Sequence, residues 1–344
     1  MKEYLELLQD IIDNGVEKES GRANMPNTIG ISNAVIKMDL QNGFPLLTTK
    51  KMYLKGIIYE LLWFLHGDTN IKYLVDNNVN IWNGDAYRWY LKTWGDSEKV
   101  LSMNEFLFEI KSGRTGMGLV DHNLGDLGKV YGYNWRNIPK KLETASIEKP
   151  APNLDQVSRV IEGLKNNPYS RYHIINAWDI RNFDECALMP CHLLYQFIVR
   201  PLKYEERCKL NTNEHREKYD KNAFDFLPKF YLDLNMYQRS ADTLLGVPFN
   251  LASMSCLLKI FAQTCNMIPG VSTWIGGDTH LYVNHVDLAK MQIEREPYAL
   301  PKLHINKELN GLEDILQLKY EDFELIDYKS HPAIKAELFT GLKK

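Results

Sequence analysis

Leu188-Met189-Pro190-Cys191-His192-Leu193-Leu194-Tyr195-Gln196-Phe197-Ile198-Val199 sets a cysteine at the mouth of a strand. Residues 194–200 are rich in aromatic and β-branched side chains with strand-like alternation. A thiolate is intrinsically nucleophilic, and nearby cations favour it over the thiol. Alone, the pattern also fits a small buried cysteine, the commoner use of that residue. Its company carries more information. Further along, Tyr237-Gln238-Arg239-Ser240-Ala241-Asp242-Thr243-Leu244-Leu245-Gly246-Val247-Pro248-Phe249-Asn250 joins a strand over 230–238 to an apolar helix over 249–267 that ends near Asn266. Outward from these, 172–179 reads as a strand and 52–67 as a buried helix apolar on more than one face. A further helix is expected over 279–295, with Asp278 as its N-cap. At the N-terminus Tyr4, Leu5, Leu8, Ile11 and Ile12 recur at helical spacing, with Gly15 as the stop. Strands mixed with long helices, in no regular alternation, predict an α+β fold with mixed β-sheets and packed helices.

The net charge of −3 provides no basic field for nucleic acid, so an anionic small substrate would need locally placed arginines. The five cysteines, Cys186, Cys191, Cys208, Cys256 and Cys265, include no C-x-x-C pair. That favours a reducing compartment, here the cytoplasm, over a disulfide frame or a metal site. No stretch approaches 18 uncharged apolar residues, so no membrane span is expected. Residues 1–344 are expected to form a single domain. Polar surface insertions are expected near 86–124, 138–157 and 203–228, as solvated loops.

Glu60 lies inside the most apolar helix, where a carboxylate is paired, exposed on a narrow polar stripe, or held for proton chemistry. Its surroundings discriminate among these. Gly43-Phe44-Pro45-Leu46-Leu47-Thr48-Thr49-Lys50 and Glu60-Leu61-Leu62-Trp63-Phe64-Leu65-His66-Gly67-Asp68-Thr69-Asn70 closely resemble the N-terminal signature of the thymidylate synthase family. Ile81-Trp82, Gly125-Asp126-Leu127-Gly128, Val130-Tyr131-Gly132, Asn167-Pro168-Tyr169-Ser170-Arg171, Gly277-Asp278-Thr279-His280-Leu281-Tyr282 and His331-Pro332-Ala333-Ile334-Lys335-Ala336 follow in family order. Together with the two opening stretches, the resemblance runs from about residue 22 to 336, and only the insertions fall outside it.

The resemblance implies an obligate homodimer formed through a sheet face, with dUMP and 5,10-methylenetetrahydrofolate as substrate and co-substrate and no metal. Cys191 would add to C6 of the pyrimidine, making C5 enolate-like and able to attack the folate methylene. Glu60 would organise proton transfers, with Tyr131 and His192 in the water network near C5. Asn250 would meet the uracil N3–H and O4, since its amide offers both donor and acceptor. Hydroxymethylases acting on dCMP carry aspartate at that position, so Asn250 implies uracil. Arg239 and Ser240 would hold the phosphate beside Gln238, joined by Arg22 and by Arg171 of the other subunit. Arg239 would also favour the Cys191 thiolate. His280 and Tyr282 would hold the ribose 3′-hydroxyl. Ile81, Trp82, Asp242, Leu245, Gly246 and Phe249 would contact the folate.

Four positions depart from the family pattern. Tyr172 stands where a second arginine is usual, Asn83 where aspartate is usual, and Lys129 where proline is usual. The chain also runs on past the usual ending as Glu337-Leu338-Phe339-Thr340-Gly341-Leu342-Lys343-Lys344. An altered lid would admit water to the exocyclic methylene intermediate. The leading expectation is reductive methylation of dUMP to dTMP, and the alternative is a dUMP hydroxymethylase. A catalytically idle nucleotide- or RNA-binding protein of the same fold is a third possibility, which the set Glu60, Cys191, Arg239, Asp242 and Asn250 argues against.

Overall fold

A computed structural model describes residues 1–21, 24–95, 100–113, 124–138, 153–210, 224 and 226–339. In chain order the elements are α1 (Lys2–Asn14), β1 (Val16–Lys18), β2 (Thr28–Asp39), α2 (Leu54–Leu65), α3 (Lys72–Asp76), α4 (Asn83–Trp94), α5 (Met103–Ser112), α6 (Tyr131–Arg136), α7 (Gln156–Asn166), β3 (Ile174–Asn176), β4 (His192–Pro201), α8 (Tyr204–Leu210), β5 (Phe230–Asp242), α9 (Gly246–Thr264), β6 (Ile268–Tyr282), α10 (Val286–Ile293), β7 (Lys302–Ile305), α11 (Leu312–Leu316) and β8 (Phe323–Ile326). One six-stranded sheet runs β1-β2-β6-β5-β4-β3, and β7 and β8 form a separate pair. All neighbours in the large sheet are antiparallel except β5 and β6, which are parallel. The fold is therefore the expected mixed α+β arrangement.

One face of the sheet is covered by α9, whose Leu251, Met254, Leu257, Leu258 and Phe261 are buried. α2 lies in the same core, with Ile57, Ile58, Leu61, Leu62, Trp63, Phe64 and Leu65 buried. Each such side chain contributes about 1.5–3 kcal/mol on leaving water. That explains why a helix with so little polar surface is stable here. α1 ends as expected at Gly15, whose N–H donates to the Ile11 carbonyl at 3.0 Å. On the opposite face of the sheet, Val35, Ile275, Tyr237 and Leu194 fall in register across β2, β6, β5 and β4. Val35 is 53% exposed and Tyr237 40%.

Several sequence expectations need correction. The helix expected over 279–295 is β6 as far as Tyr282, and only Val286–Ile293 is α-helical. Asp278 is thus a mid-strand residue and not an N-cap. Gly276 and Gly277 broke the strand pattern in sequence. A Cβ on Gly276 would come within 2.4 Å of the Trp274 ring, so close packing dictates glycine there. The strand expected over 172–179 shrinks to Ile174–Asn176, because its pairing with β4 covers only those residues. The helix expected from 249 begins at Gly246, with Pro248 tolerated in its first turn. Within the insertion near 86–124, α4 and α5 are helices and not solvated loops, and they bury Ala86, Phe106 and Ile110. The described part of the insertion near 203–228 includes α8. Residues 139–152 and 211–223 lie outside the described residues.

Candidate active site

β4 and β5 lose strict register between His192 and Leu194, and this irregularity projects the Cys191 loop from the end of the sheet. Cys191 is partly exposed. Its backbone N–H donates to the Tyr131 hydroxyl at 2.6 Å. Arg239, near the end of β5, clamps the same loop. Its Nε donates to the Pro190 carbonyl at 2.9 Å and an Nη to the Met189 carbonyl at 2.8 Å. That Nη lies 3.8 Å from the Cys191 Sγ. A guanidinium held so close stabilises negative charge on sulfur. Tyr131 opens α6 after a tight approach at Gly128, where φ is +74° and a Cβ would sit 2.0 Å from the Glu185 carbonyl oxygen. Only glycine allows the two loops to meet there.

Glu60 accepts from the Trp82 indole N–H at 2.7 Å. Burial raises its carboxyl from the ordinary 4.5 to about 7, against the lowering effect of the Trp82 bond. Trp82 in turn meets the Tyr131 ring edge-on, with centroids 6.1 Å apart. Contacts therefore run continuously from Glu60 through Trp82 and Tyr131 to Cys191. A carboxyl that titrates near neutrality can both give and take a proton. The shift also bears on stability. The native protein retains a proton that the unfolded chain releases between pH 4.5 and about 7, so native stability falls as pH rises through that window. E60Q removes this penalty. We expect E60Q to raise the melting temperature more at pH 8 than at pH 5, and equal shifts at the two pH values would contradict the raised pKa.

His192 is buried, and burial pulls its pKa from 6.5 down to about 4 despite a hydrogen bond with the Asn250 side chain. It is neutral across the physiological range. Its Nδ1 is 3.1 Å from the Tyr195 hydroxyl. Tyr195 was not singled out in sequence, because its position on β4 looks like ordinary core. Asn250 lies in the first turns of α9, which places its amide against His192.

The turn after β5 is organised by Asp242, whose Oδ1 accepts from the backbone N–H of Leu244 and of Leu245, both at 3.1 Å. This presents Leu245, Gly246 and Phe249 at the start of α9, and Leu245, Gly246 and Phe249 are all partly exposed. Ile81 is likewise partly exposed beside the buried Trp82. Beneath the turn lies a residue without a sequence-assigned role. Lys50 is buried and donates to the Leu244 carbonyl. Burial lowers its pKa to about 8, with Asp242 opposing the shift. Tyr4 of α1 donates to the Thr243 carbonyl at 2.9 Å. The chain's extension also reaches this end. The Phe339 ring packs on Tyr282 at 4.7 Å and stacks on His285 at 5.2 Å.

Ser240 follows Arg239 on β5 and is partly exposed. Gln238 is buried, and its amide is spent inside the sheet. Nε2 donates to the Ser240 carbonyl at 2.9 Å, and Oε1 accepts from the Trp274 indole at 2.8 Å. His280 and Tyr282, near the end of β6, have ring centroids 5.6 Å apart. Register sets His280 directly beside Asp242. Arg171 is exposed before β3 and makes no hydrogen bond or ion pair among the described residues. The fold does not draw it into its own chain's cluster. Arg22 lies outside the described residues. Asn83 opens α4 directly after Trp82, and its buried Oδ1 has no partner among the described residues.

A family model described as Thymidylate synthase matches residues 2–340. A curated protein of Mycoplasma mobile named Thymidylate synthase is 42% identical over 338 residues, covering 98% of this chain and 99% of that protein. No helix among the described residues is long and apolar enough to cross a membrane.

Proposed function

Since this chain belongs to the thymidylate synthase family, we propose that it converts dUMP to dTMP by reductive methylation, with 5,10-methylenetetrahydrofolate giving both the carbon and the hydride. The observation that carries the proposal furthest is the placement of the Arg239 guanidinium 3.8 Å from a partly exposed Cys191 Sγ. Such a pair provides a nucleophile for C6 of the ring together with a cation for the phosphate.

In this scheme the Cys191 thiolate adds to C6, and the displaced ring electrons pass to C5 and O4. Asn250 holds N3–H and O4, and its bond with His192 fixes the amide's orientation. Carbon C5 attacks the folate methylene and then gives up its proton. Glu60, titrating near neutrality, supports the proton transfers that accompany these steps. Loss of tetrahydrofolate leaves an exocyclic methylene, which receives hydride from the folate as the C6–S bond breaks. The products are dTMP and dihydrofolate, and the thiolate is regenerated. Ile81, Trp82, Leu245, Gly246 and Phe249 form the wall for the folate, and Asp242 holds the turn on which three of them stand. Arg239 and Ser240, with Arg22, bind the phosphate. Gln238 supports that strand, since both ends of its amide are already engaged.

Hydroxymethylation is not favoured, because the relative matched along nearly its whole length is named for the synthase. The Phe339 contacts on Tyr282 and His285 support a tail that covers the site instead of opening it. The proposal treats residues 1–344 as one domain in the cytoplasm, consistent with five free cysteines. It includes a homodimer that joins the faces bearing Val35, Ile275, Tyr237 and Leu194 and brings the exposed Arg171 to the partner's phosphate site. Light scattering on the purified protein should give twice the chain mass of 40.0 kDa. A monomer at that mass would remove Arg171 from the scheme. The reaction is tested by incubating the protein with dUMP and methylenetetrahydrofolate. Dihydrofolate formed in step with dTMP is expected, and 5-hydroxymethyl-dUMP formed without dihydrofolate would overturn the assignment.

A further inference from the structure

β6 is held on both sides at its functional end. Asp278 pairs with Ser32 of β2 and Ser240 of β5, and His280 pairs with Gly30 and Asp242. The backbone at both positions is thus fixed, and the placement of the His280 ring depends on its side-chain torsions. Residues two apart on a strand share a face, so the 278 side chain is within reach of the 280 ring. Asp278 Oδ1 lies 3.1 Å from His280 Nδ1, and its Oδ2 lies 2.5 Å from Lys18 Nζ at the end of β1. Among the described residues His280 Nε2 makes no hydrogen bond, although the side chain is buried.

We propose that Asp278 is a positioning residue that fixes the ring and tautomer of His280, leaving Nε2 as a bare acceptor for the nucleotide's 3′-hydroxyl. This rests on the assignment of His280 to the ribose given above. A carboxylate can only accept, so the Asp278 contact keeps the proton on Nδ1. With the proton on Nδ1, Nε2 presents a lone pair to which a sugar hydroxyl can donate. Burial works against charge on Asp278, but Lys18 and His280 outweigh it and hold the carboxyl below its ordinary 3.8. The acceptor is therefore ionised at neutral pH. The two links differ in weight. The Lys18 side chain is half-exposed, and such pairs contribute little, whereas the bond to the buried ring decides its orientation. No such role was visible in the sequence, where Asp278 looks like a helix cap.

The test compares binding of dUMP and of 2′,3′-dideoxyuridine 5′-monophosphate, which lacks the 3′-hydroxyl, to the wild type, D278A and K18M. The wild type should prefer dUMP. D278A should weaken dUMP binding about tenfold and leave the dideoxy ligand within about twofold, while K18M changes both by no more than about twofold. Equal weakening of both ligands in D278A would mean a general structural role and would overturn the proposal, as would no change in either. A wild type without preference for dUMP would remove the ribose assignment of His280, and the acceptor role with it. Long-range ¹H–¹⁵N spectra of His280 test the positioning step separately. The wild type should show the proton on Nδ1 and D278A should lose that preference, whereas a wild-type ring protonated on Nε2 would overturn the proposal whatever the ligands do.

Discussion

C191A is expected to lower turnover by at least about 10⁴-fold while leaving dUMP binding in place. The thiol is the only group in the cluster that can form and later release a bond to ring carbon, and no neighbour can replace it. Tyr131 is kept protonated by burial and by the adjacent Cys191, and its hydroxyl already accepts the Cys191 backbone N–H. Binding should survive because the proposal assigns the phosphate and base contacts to Arg239 and Asn250. Turnover and dUMP affinity, measured on the same preparation, check both halves. A C191A protein that retained turnover within tenfold would remove covalent catalysis. An intact biological function without turnover would revive the idle binding protein of the same fold.

R239A is expected to lower kcat/KM for dUMP by about 10²–10⁴-fold, with losses in both kcat and KM. This residue does two jobs. Its side chain ties down the Met189 and Pro190 carbonyls and sets a cation at the Cys191 sulfur, and the proposal gives its remaining Nη to the phosphate. A hydrogen bond from a charged donor is worth about 1.5–3 kcal/mol, and each 1.36 kcal/mol is tenfold in rate, so losing two such contacts gives that range. R239K should recover only part of the loss. A single ammonium cannot serve two carbonyls, sulfur and phosphate in the geometry of a planar fork. Steady-state kinetics on both variants decides this, and R239A with kcat within threefold of wild type would mean that the loop holds itself.

The chemistry of the site was more legible in the sequence than its wiring. Cys191, Glu60, Arg239, Asp242 and Asn250 stand in short stretches whose resemblance to the family implies their tasks, and the fold joins Cys191 to Arg239 directly and to Glu60 through Tyr131 and Trp82. What local sequence cannot display is a partner brought from across a sheet. Lys50 beneath the Asp242 turn and Lys18 with Asp278 are brought together by the fold from 194 and 260 residues apart, whereas Tyr195, three residues from His192 on the same strand, looks like ordinary core. β6 was misread for a related reason. The glycines that let Trp274 and Tyr237 pack against the strand also erased its alternation. α4 and α5 were missed because few of their residues face the core, and a short apolar stripe among charges looks like a polar loop.

The central claim is that the Cys191 sulfur bonds to C6 of dUMP during the reaction. Replacing the C5 hydrogen with fluorine stops the cycle after carbon transfer, because C5 cannot release fluorine as it releases a proton. Peptide mass analysis after incubation with 5-fluoro-dUMP and methylenetetrahydrofolate therefore locates the nucleophile. The predicted result is nucleotide and folate together on the peptide that contains Cys191, and on no other cysteine. Burial pushes the Cys256 and Cys265 thiols up to about 12 and about 11, so neither is a competing thiolate. An adduct on Cys186, Cys208, Cys256 or Cys265, or no adduct under conditions that support turnover of dUMP, would contradict the mechanism.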